Sequence, residues 1–293
     1  MALTNFQRSA YRIFGRMAEK MATKNPKLEE SLRKARMPLT GAVYVSWVLV
    51  NTGLVFIATA AASVTAVILL PVAGIKTTPQ MWLLVAALPF IFTMTAYMVL
   101  MSNPASKAKA RGKNMNIHLP YALNYIAAMA SAGINPDKIF ASLARQKIYG
   151  EVTTESLWIY KDIAFSGKDT VTAMKSAVQR SPSMKFQDFL QGAITTVTSG
   201  GNLQAYFSAK AQQFMWENRQ EQKSFIDMMG LMAETYVTTA VAGPLFMIVM
   251  MSIMSMFGGQ SSDPVQLKMI IYLLLPVANA GFVFGLQSMI PEV

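Results

Sequence analysis

Few residues in this chain have the types and spacing that chemistry needs. There is no cysteine, so thiolate nucleophiles, thiolate metal sites and disulfides are excluded. A single histidine, His118, stands where a metal cluster or a general-base pair would want more, and its place before Leu119-Pro120 reads as structural. Ser166-Gly167-Lys168-Asp169-Thr170 has the outward look of a phosphate-binding loop. The glycine such a loop needs five places before Gly167 falls at Asp162, and Lys168 is followed by an aspartate rather than serine or threonine. Gly200-Gly201 at a helix start suits an anion, but a tight turn between helices explains the pair more simply. No nucleophile and base lie at a recognisable spacing. The sequence predicts a protein that is not an enzyme and uses no metal and no cofactor. What remains is packing chemistry. Gly281-x-x-x-Gly285 matches the close-approach motif of membrane helices and predicts helix–helix packing, within one chain or across a dimer. The 23 methionines, dense around Met247, Met250, Met251, Met254 and Met256, read as lipid-facing and core packing.

The elements that carry these residues are set by an uneven distribution of apolar and charged residues. Hydrophobic residues make up 53% of the chain and charged residues only 14%, against about 25% charged in a soluble domain. The deficit is confined to two blocks, 41–101 and 236–290. Residues 1–40 carry 9 Lys/Arg against 3 Asp/Glu, and residues 102–235 carry 15 against 10. Outside them only Lys76, Lys268, Asp263 and Glu292 are charged. The net charge of +11 therefore follows the positive-inside pattern. It places both polar segments in the cytoplasm, beside the cell (cytoplasmic) membrane, and predicts no nucleic-acid partner. The first 40 residues are too long and polar for a signal-peptide n-region, so a retained signal anchor is expected rather than a cleaved signal.

Residues 3–17 predict an amphipathic helix: Leu3, Phe6, Ala10, Ile13 and Met17 share one face, while Arg8, Arg12, Arg16 and Lys20 recur every fourth residue on another. It suits either an anionic leaflet or packing on the rest of the protein. The first membrane segment, about 41–70, exceeds the roughly 20 residues a span needs, and Pro71 to Gly74 break it. A second runs over about 81–101 with Pro89 inside, then exits through Ser102-Asn103-Pro104 into the basic run Lys107, Lys109, Arg111, Lys113, a cationic collar. Six helices follow. The first, about 119–132, buries Leu119, Leu123, Ile126 and Ala130 and stops at Gly133. The second opens at Asn135-Pro136 and runs to about Gln146. The third opens at Thr153 or Thr154 with Leu157, Tyr160 and Ile163 inward. The fourth shows Val171, Met174 and Val178. The fifth restarts at Ser181-Pro182-Ser183 and carries a stripe from Phe186 to Val197. The sixth runs from Leu203, capped by Asn202, past Gly230 and without a breaker into the third membrane segment, 236–257. A short outer loop, 258–266, leads to the fourth segment, 267–290, with Pro276 inside. The expected fold is an all-α integral membrane protein with about four transmembrane helices and a cytoplasmic bundle of about six helices inserted between the two pairs: 1–40 basic N-terminal segment, 41–101 first pair, 102–235 helical bundle, 236–290 second pair. A transporter or channel subunit is the main alternative. The near absence of ionisable groups within the segments counts against it, and the prolines read as tolerated kinks.

An ordered set of phrases in the bundle resembles a known family: Leu119-Pro120-Tyr121-Ala122-Leu123-Asn124-Tyr125 running on to Gly133, then Ile148-Tyr149-Gly150-Glu151, Asp169 with Ala173, Arg180-Ser181-Pro182-Ser183, and Thr198-Ser199-Gly200-Gly201-Asn202-Leu203. Together, over roughly residues 115–235, they resemble the type II secretion system F family, especially the archaeal platform proteins of archaella and type IV-like pili. Many archaeal relatives carry two such domains; here there is one, as in a half-length member. The resemblance implies a non-enzymatic platform in the cell membrane. A hexameric secretion ATPase would dock below it, and pilin or archaellin subunits would be lifted through it. Membrane lipids and a second copy of the chain, as a homodimer, are the other expected partners. Polar loop positions of the bundle, Arg145, Lys147, Glu151, Asp169 and Arg180, are then the candidate ATPase-docking contacts.

Overall fold

The computed structural model describes residues 5–72, 79–256 and 268–289. The described elements are helical throughout, with no strand among them. Contacts divide the chain into two compact units, Met1–Ala211 and Gln212–Val293.

The first unit begins with α1 (Asn5–Lys24) and α2 (Pro26–Lys34), followed by a long antiparallel pair, α3 (Gly41–Val72) and α4 (Pro79–Ser131). Phe56 and Phe90 meet edge to face at 5.7 Å across that pair. The first turns of α3 are enclosed by protein. Ala18 of α1, Leu28 and Leu32 of α2, and Tyr44, Val45 and Val48 of α3 form one buried cluster, with Tyr97, Leu100 and Met101 of α4 against it. Between Leu54 and Val67 α3 exposes apolar side chains, among them Ile57 and Val64.

The expected helix 119–132 has no start of its own: the second apolar segment, Ser102-Asn103-Pro104, the basic run and that helix are one helix of 53 residues containing Pro89, Pro104 and Pro120. His118 accordingly lies mid-helix, its Nδ1 2.8 Å from the Asn114 carbonyl. A proline inside a helix removes one N–H and orphans the carbonyl four residues earlier. At Pro104 that carbonyl belongs to Leu100, and the Tyr44 hydroxyl donates to it at 2.6 Å. A tertiary contact thus satisfies the group whose loss would otherwise end the helix.

The end of α4 joins α5 (Pro136–Leu143), a 3₁₀ turn (Lys147–Tyr149), α6 (Gly150–Ala164), α7 (Thr170–Arg180), α8 (Met184–Thr198) and the start of α9 (Leu203–Tyr236) in a bundle. Its core is the stripe the spacing predicts on α4 (Leu119, Leu123, Ile126, Ala130) and on α8 (Phe186, Phe189, Leu190, Ala193, Ile194), met by Ile139, Phe140 and Phe207. Caps fix the entries: Asp169 accepts from the Thr172 N–H, Ser183 from Phe186 and Asn202 from Ala205. Glycines with positive φ, Gly133 and Gly200, close the helices before the turns. The expectation for α6 needs correction at both start and face. It opens at Gly150 rather than at Thr153 or Thr154. It buries Val152, Glu155, Ser156 and Ile159 in place of Leu157, Tyr160 and Ile163, which are half-buried. A charged core position defeats apolar periodicity, and the charge at Glu155 is matched from other elements.

The division between the units falls inside α9, which continues past Gly230 to Tyr236. In the second unit a π turn, Val237–Ala242, leads into α10 (Gly243–Met256), and a second π turn, Ile270–Leu274, into α11 (Leu275–Met289). Each π turn ends two residues before a proline, Pro244 or Pro276. The widened turn accommodates a ring that would clash with the carbonyl four residues back. Tyr236 donates to Asn279 Oδ1 at 2.9 Å and meets Phe282 edge to face at 5.1 Å. Among the described residues two stretches are long and apolar enough to cross a membrane, Gly41–Val67 and one within Leu203–Ile253; Ile271–Gly285 is a shorter apolar helix. The expected outer loop 258–266, most of the loop near Lys76, and both ends of the fourth segment lie outside the described residues.

Candidate functional site: a buried carboxylate held by three arginines

Glu151, Glu155, Trp158 and Asp162 recur at helical spacing on one side of α6. Acidic residues at this spacing usually form a solvated face. Here Glu155 has no exposed surface, because cations from three other segments close over it. Arg111 of α4 donates through Nη2 to Glu155 Oε1 at 2.9 Å and through Nε to Glu151 Oε2 at 2.9 Å, while its Nη1 donates to the Lys34 carbonyl at the end of α2. Arg36, just beyond α2, brings Nη2 to 2.9 Å from the same Glu155 Oε1. Arg180, at the end of α7, donates to Asp162 Oδ2 at 2.8 Å and lies 3.9 Å from Glu155 Oε2. Lys168 completes the set on Asp162 Oδ1 at 3.2 Å. The Trp158 ring lies under the guanidinium carbons of Arg36 and Arg180, at 5.7 and 5.9 Å, and under the Lys161 ammonium at 5.4 Å.

Local sequence explains how each group arrives. The Arg36 N–H bonds the Arg33 carbonyl and the Met37 N–H the Leu32 carbonyl, the paired bonds of a helix C-terminus closed by a left-handed residue. That residue is usually glycine; here it is Arg36, at φ 53°. A side chain in this region costs about 1–3 kcal/mol, and this one reaches the buried carboxylate. Gly150 does the corresponding work at the start of α6. Its φ is 54°, and a Cβ there would collide with Asn114 Oδ1 and come within 3.1 Å of His118 Nδ1. The same Asn114 Oδ1 accepts the Glu151 N–H at 2.9 Å. Together these bonds fix the register of the acidic face against α4.

Burial lowers the Arg36 guanidinium from its usual value, with the neighbouring Arg111 adding to the effect and Glu155 opposing it. Burial would raise the Asp162 carboxyl, but the hydrogen bonds from Arg180 and Lys168 outweigh it and hold the group below the ordinary aspartate range. Glu155 Oε2, Arg36 Nη2 and the Nε and Nη2 of Arg180 are buried without a hydrogen bond of good geometry, so Arg36 meets Glu155 as an ion pair by distance alone. The Glu155–Arg180 contact is therefore looser than the Arg111 one. Four cations, Arg36, Arg111, Lys168 and Arg180, pair with three carboxylates, and Lys161 over Trp158 is a fifth. Among the described residues no group of acids and histidine is placed to hold a metal; arginines occupy these carboxylates. The arrangement is a clamp. One acid on α6 ties the α2 end, α4 and α7 into a single body.

The candidate docking residues separate on this framework. Glu151 and Arg180 belong to the clamp. Asp169 is exposed but caps α7, and its hydrogen bond from Thr172 lowers its carboxyl pKa. Arg145 and Lys147, in the turn between α5 and α6, present exposed side chains beside the exposed Ile148. In the second unit, a Cβ added at Gly281 or Gly285 would meet no atom within 4 Å. The sequence reading singled out neither Glu155, Arg36 nor Trp158, and placed Arg111 in a membrane collar. The acid–acid–Trp–acid spacing along α6 was the available signal.

The sequence profile of the family described as "Type II secretion system (T2SS), protein F" matches residues 122–251. The match starts in α4, covers the bundle and ends in α10. Residues 122–251 of the chain thus carry a type II secretion system F domain. It is also similar to "Uncharacterized protein MJ1286" of Methanocaldococcus jannaschii, with 26% identity over 199 residues, covering 64% of this chain and 33% of that protein. The chain thus spans about a third of the length of the curated relative it matches. No solved structure gives a significant match.

Proposed function

We propose that this chain is the inner-membrane platform of a type IV pilus-like, archaellum or type II secretion filament machine. In this reading the bundle faces the cytoplasm, the apolar stretches form four spans, and a hexameric secretion ATPase engages the bundle to drive pilin or archaellin subunits into or out of the filament. The role is mechanical rather than enzymatic. The observation that carries the reading is the family match itself, which runs from the helical bundle through α9 into the apolar α10. A domain that is mostly polar bundle and ends in an apolar helix suits a part that takes force on one side of a membrane and delivers it within. The clamp around Glu155 supports it, since a body that transmits force must move as one piece. Gly281 and Gly285, four residues apart on α11, are offered as the contact to a second copy.

The test is binding of the purified, detergent-solubilised chain to the secretion ATPase from the same genome. Arg145→Glu/Lys147→Glu is the informative variant, because both side chains are exposed and outside the clamp. Saturable binding, weakened at least about tenfold by the reversal of two charges (about 1.4 kcal/mol), supports the reading. A folded chain that fails to bind refutes the ATPase coupling. Binding unchanged by the reversal removes this turn as the dock.

A further inference from the structure

The amphipathic α1 does not extend away from the first apolar helix; it doubles back along it. Ala22 lies 3.5 Å from a Cβ built on Gly41, and Ala18 shares a buried cluster with Tyr44, Val45 and Val48. Both helices rise about 1.5 Å per residue. Counting from the Ala22–Gly41 contact, Arg12 lies level with about Asn51 of α3 and Arg8 with about Val55. Ala10 and Ala18 face inward and are buried, while Arg8, Arg12, Arg16 and Lys20 are exposed on the opposite side. A shallow groove lined by Tyr11, Arg12, Gly15, Arg16 and Glu19 opens there too.

This geometry restricts where hydrocarbon can begin. If it began at Gly41, where the apolar helix starts, three arginines of α1 would lie beside lipid tails, an expensive position for guanidinium groups. If it begins near Gly53, only Arg8 falls past the edge, by about 3 Å, within the reach of a snorkelling side chain. Asn51 and the buried Thr52 then mark the polar edge, and the first lipid-exposed apolar side chains are Leu54, Phe56 and Ile57. From Gly53 to Val72 the helix offers about 20 residues, or about 30 Å, the thickness of a hydrocarbon core. The excess length of α3 is the part enclosed by α1, α2 and α4.

We infer that α1 sets the depth of the protein in the bilayer. Arg8 and Arg12 bind the headgroups of an anionic leaflet, Arg16 and Lys20 lie within its field, and the hydrocarbon boundary on α3 falls at Gly53. This inference rests on α3 being a membrane span and is independent of the platform reading.

The absence of cysteine makes the test direct. Gly53→Cys adds a unique label site where a Cβ meets nothing within 4 Å. The full chain carrying a nitroxide there is placed in vesicles of phosphatidylcholine with phosphatidylglycerol. Its accessibility to oxygen and to a water-soluble nickel chelate then reports depth. The expected label is at headgroup level, open to the nickel chelate. A boundary at Gly41 would put it about 18 Å deeper, near the bilayer midplane and closed to nickel, and that result overturns the inference. So does a label shielded from both reagents, which would mean protein covers this face. In a second measurement, Arg8→Gln/Arg12→Gln lowers the phosphatidylglycerol retained around the chain at least twofold, while Arg8→Lys/Arg12→Lys retains it. Unchanged retention in the glutamine variant refutes the headgroup contact.

Discussion

Glu155→Gln tests whether the clamp holds the bundle together. The substitution keeps the shape of the side chain and removes one charge. In the native protein Glu155 Oε1 faces both Arg111 Nη2 and Arg36 Nη2 at 2.9 Å, and Arg180 Nε lies 3.9 Å from Oε2. Neutralising it leaves five cations, three of them arginines packed around one site, against only Glu151 and Asp162. Breaking a buried ion pair by removing one partner typically costs about 3–5 kcal/mol. The arginine side chains keep 12–24% exposure, so water relieves part of the repulsion and the lower end, about 3 kcal/mol, is expected. For a domain of this size that corresponds to a fall in Tm of about 6–12 °C, read by circular dichroism in detergent at one scan rate for all variants. Glu151→Gln is the control. Its carboxylate is 31% exposed and its ion pair is with Arg111, so its loss should cost about 1 kcal/mol or less. If Glu155→Gln melts within about 2 °C of the parent, or no lower than Glu151→Gln, the clamp does not stabilise the bundle and the argument from burial fails.

Gly150→Ala should destabilise the bundle by about 1–3 kcal/mol, because the added Cβ meets both an unfavourable φ and the Asn114 side chain; the same melts measure it. Asp162 has a folded pKa lowered by its partners, so its contribution is complete above the unfolded value of about 4 and is lost as pH falls through the lower folded value. The Tm difference between the parent and Asp162→Asn should therefore be constant from neutral pH down to about 4 and close below it; a difference that closes on the alkaline side would contradict the assignment. Tyr206 donates to the Phe189 carbonyl at 2.8 Å and is pushed up to about 12 by burial. Tyr206→Phe should cost about 1 kcal/mol and remove the most alkaline phenol from an ultraviolet titration. Gly281→Leu/Gly285→Leu should reduce self-association in sedimentation if these glycines form the contact between copies.

Much of the architecture was legible because it follows from local rules. Alternating polar and apolar blocks, caps at Asp169, Ser183 and Asn202, and stops at Gly133 and Gly200 locate helices without knowledge of their neighbours. The stripe from Phe186 to Ile194 is buried because its period matches a helix. Local rules failed at two kinds of position. At Pro104 the sequence contains a breaker, but the orphaned carbonyl of Leu100 finds the Tyr44 hydroxyl 56 residues away, and the helix continues. On α6 the sequence contains an acidic side that reads as solvated, but arginines from the α2 end, α4 and α7 converge on Glu155 and bury it. The sequence by itself determined which segments are helical, which are apolar and that the bundle is basic. Only the tertiary structure decided which polar groups are buried. The burial of a charge or an orphaned carbonyl depends on a partner brought by the fold, and no periodicity in its own segment records that partner.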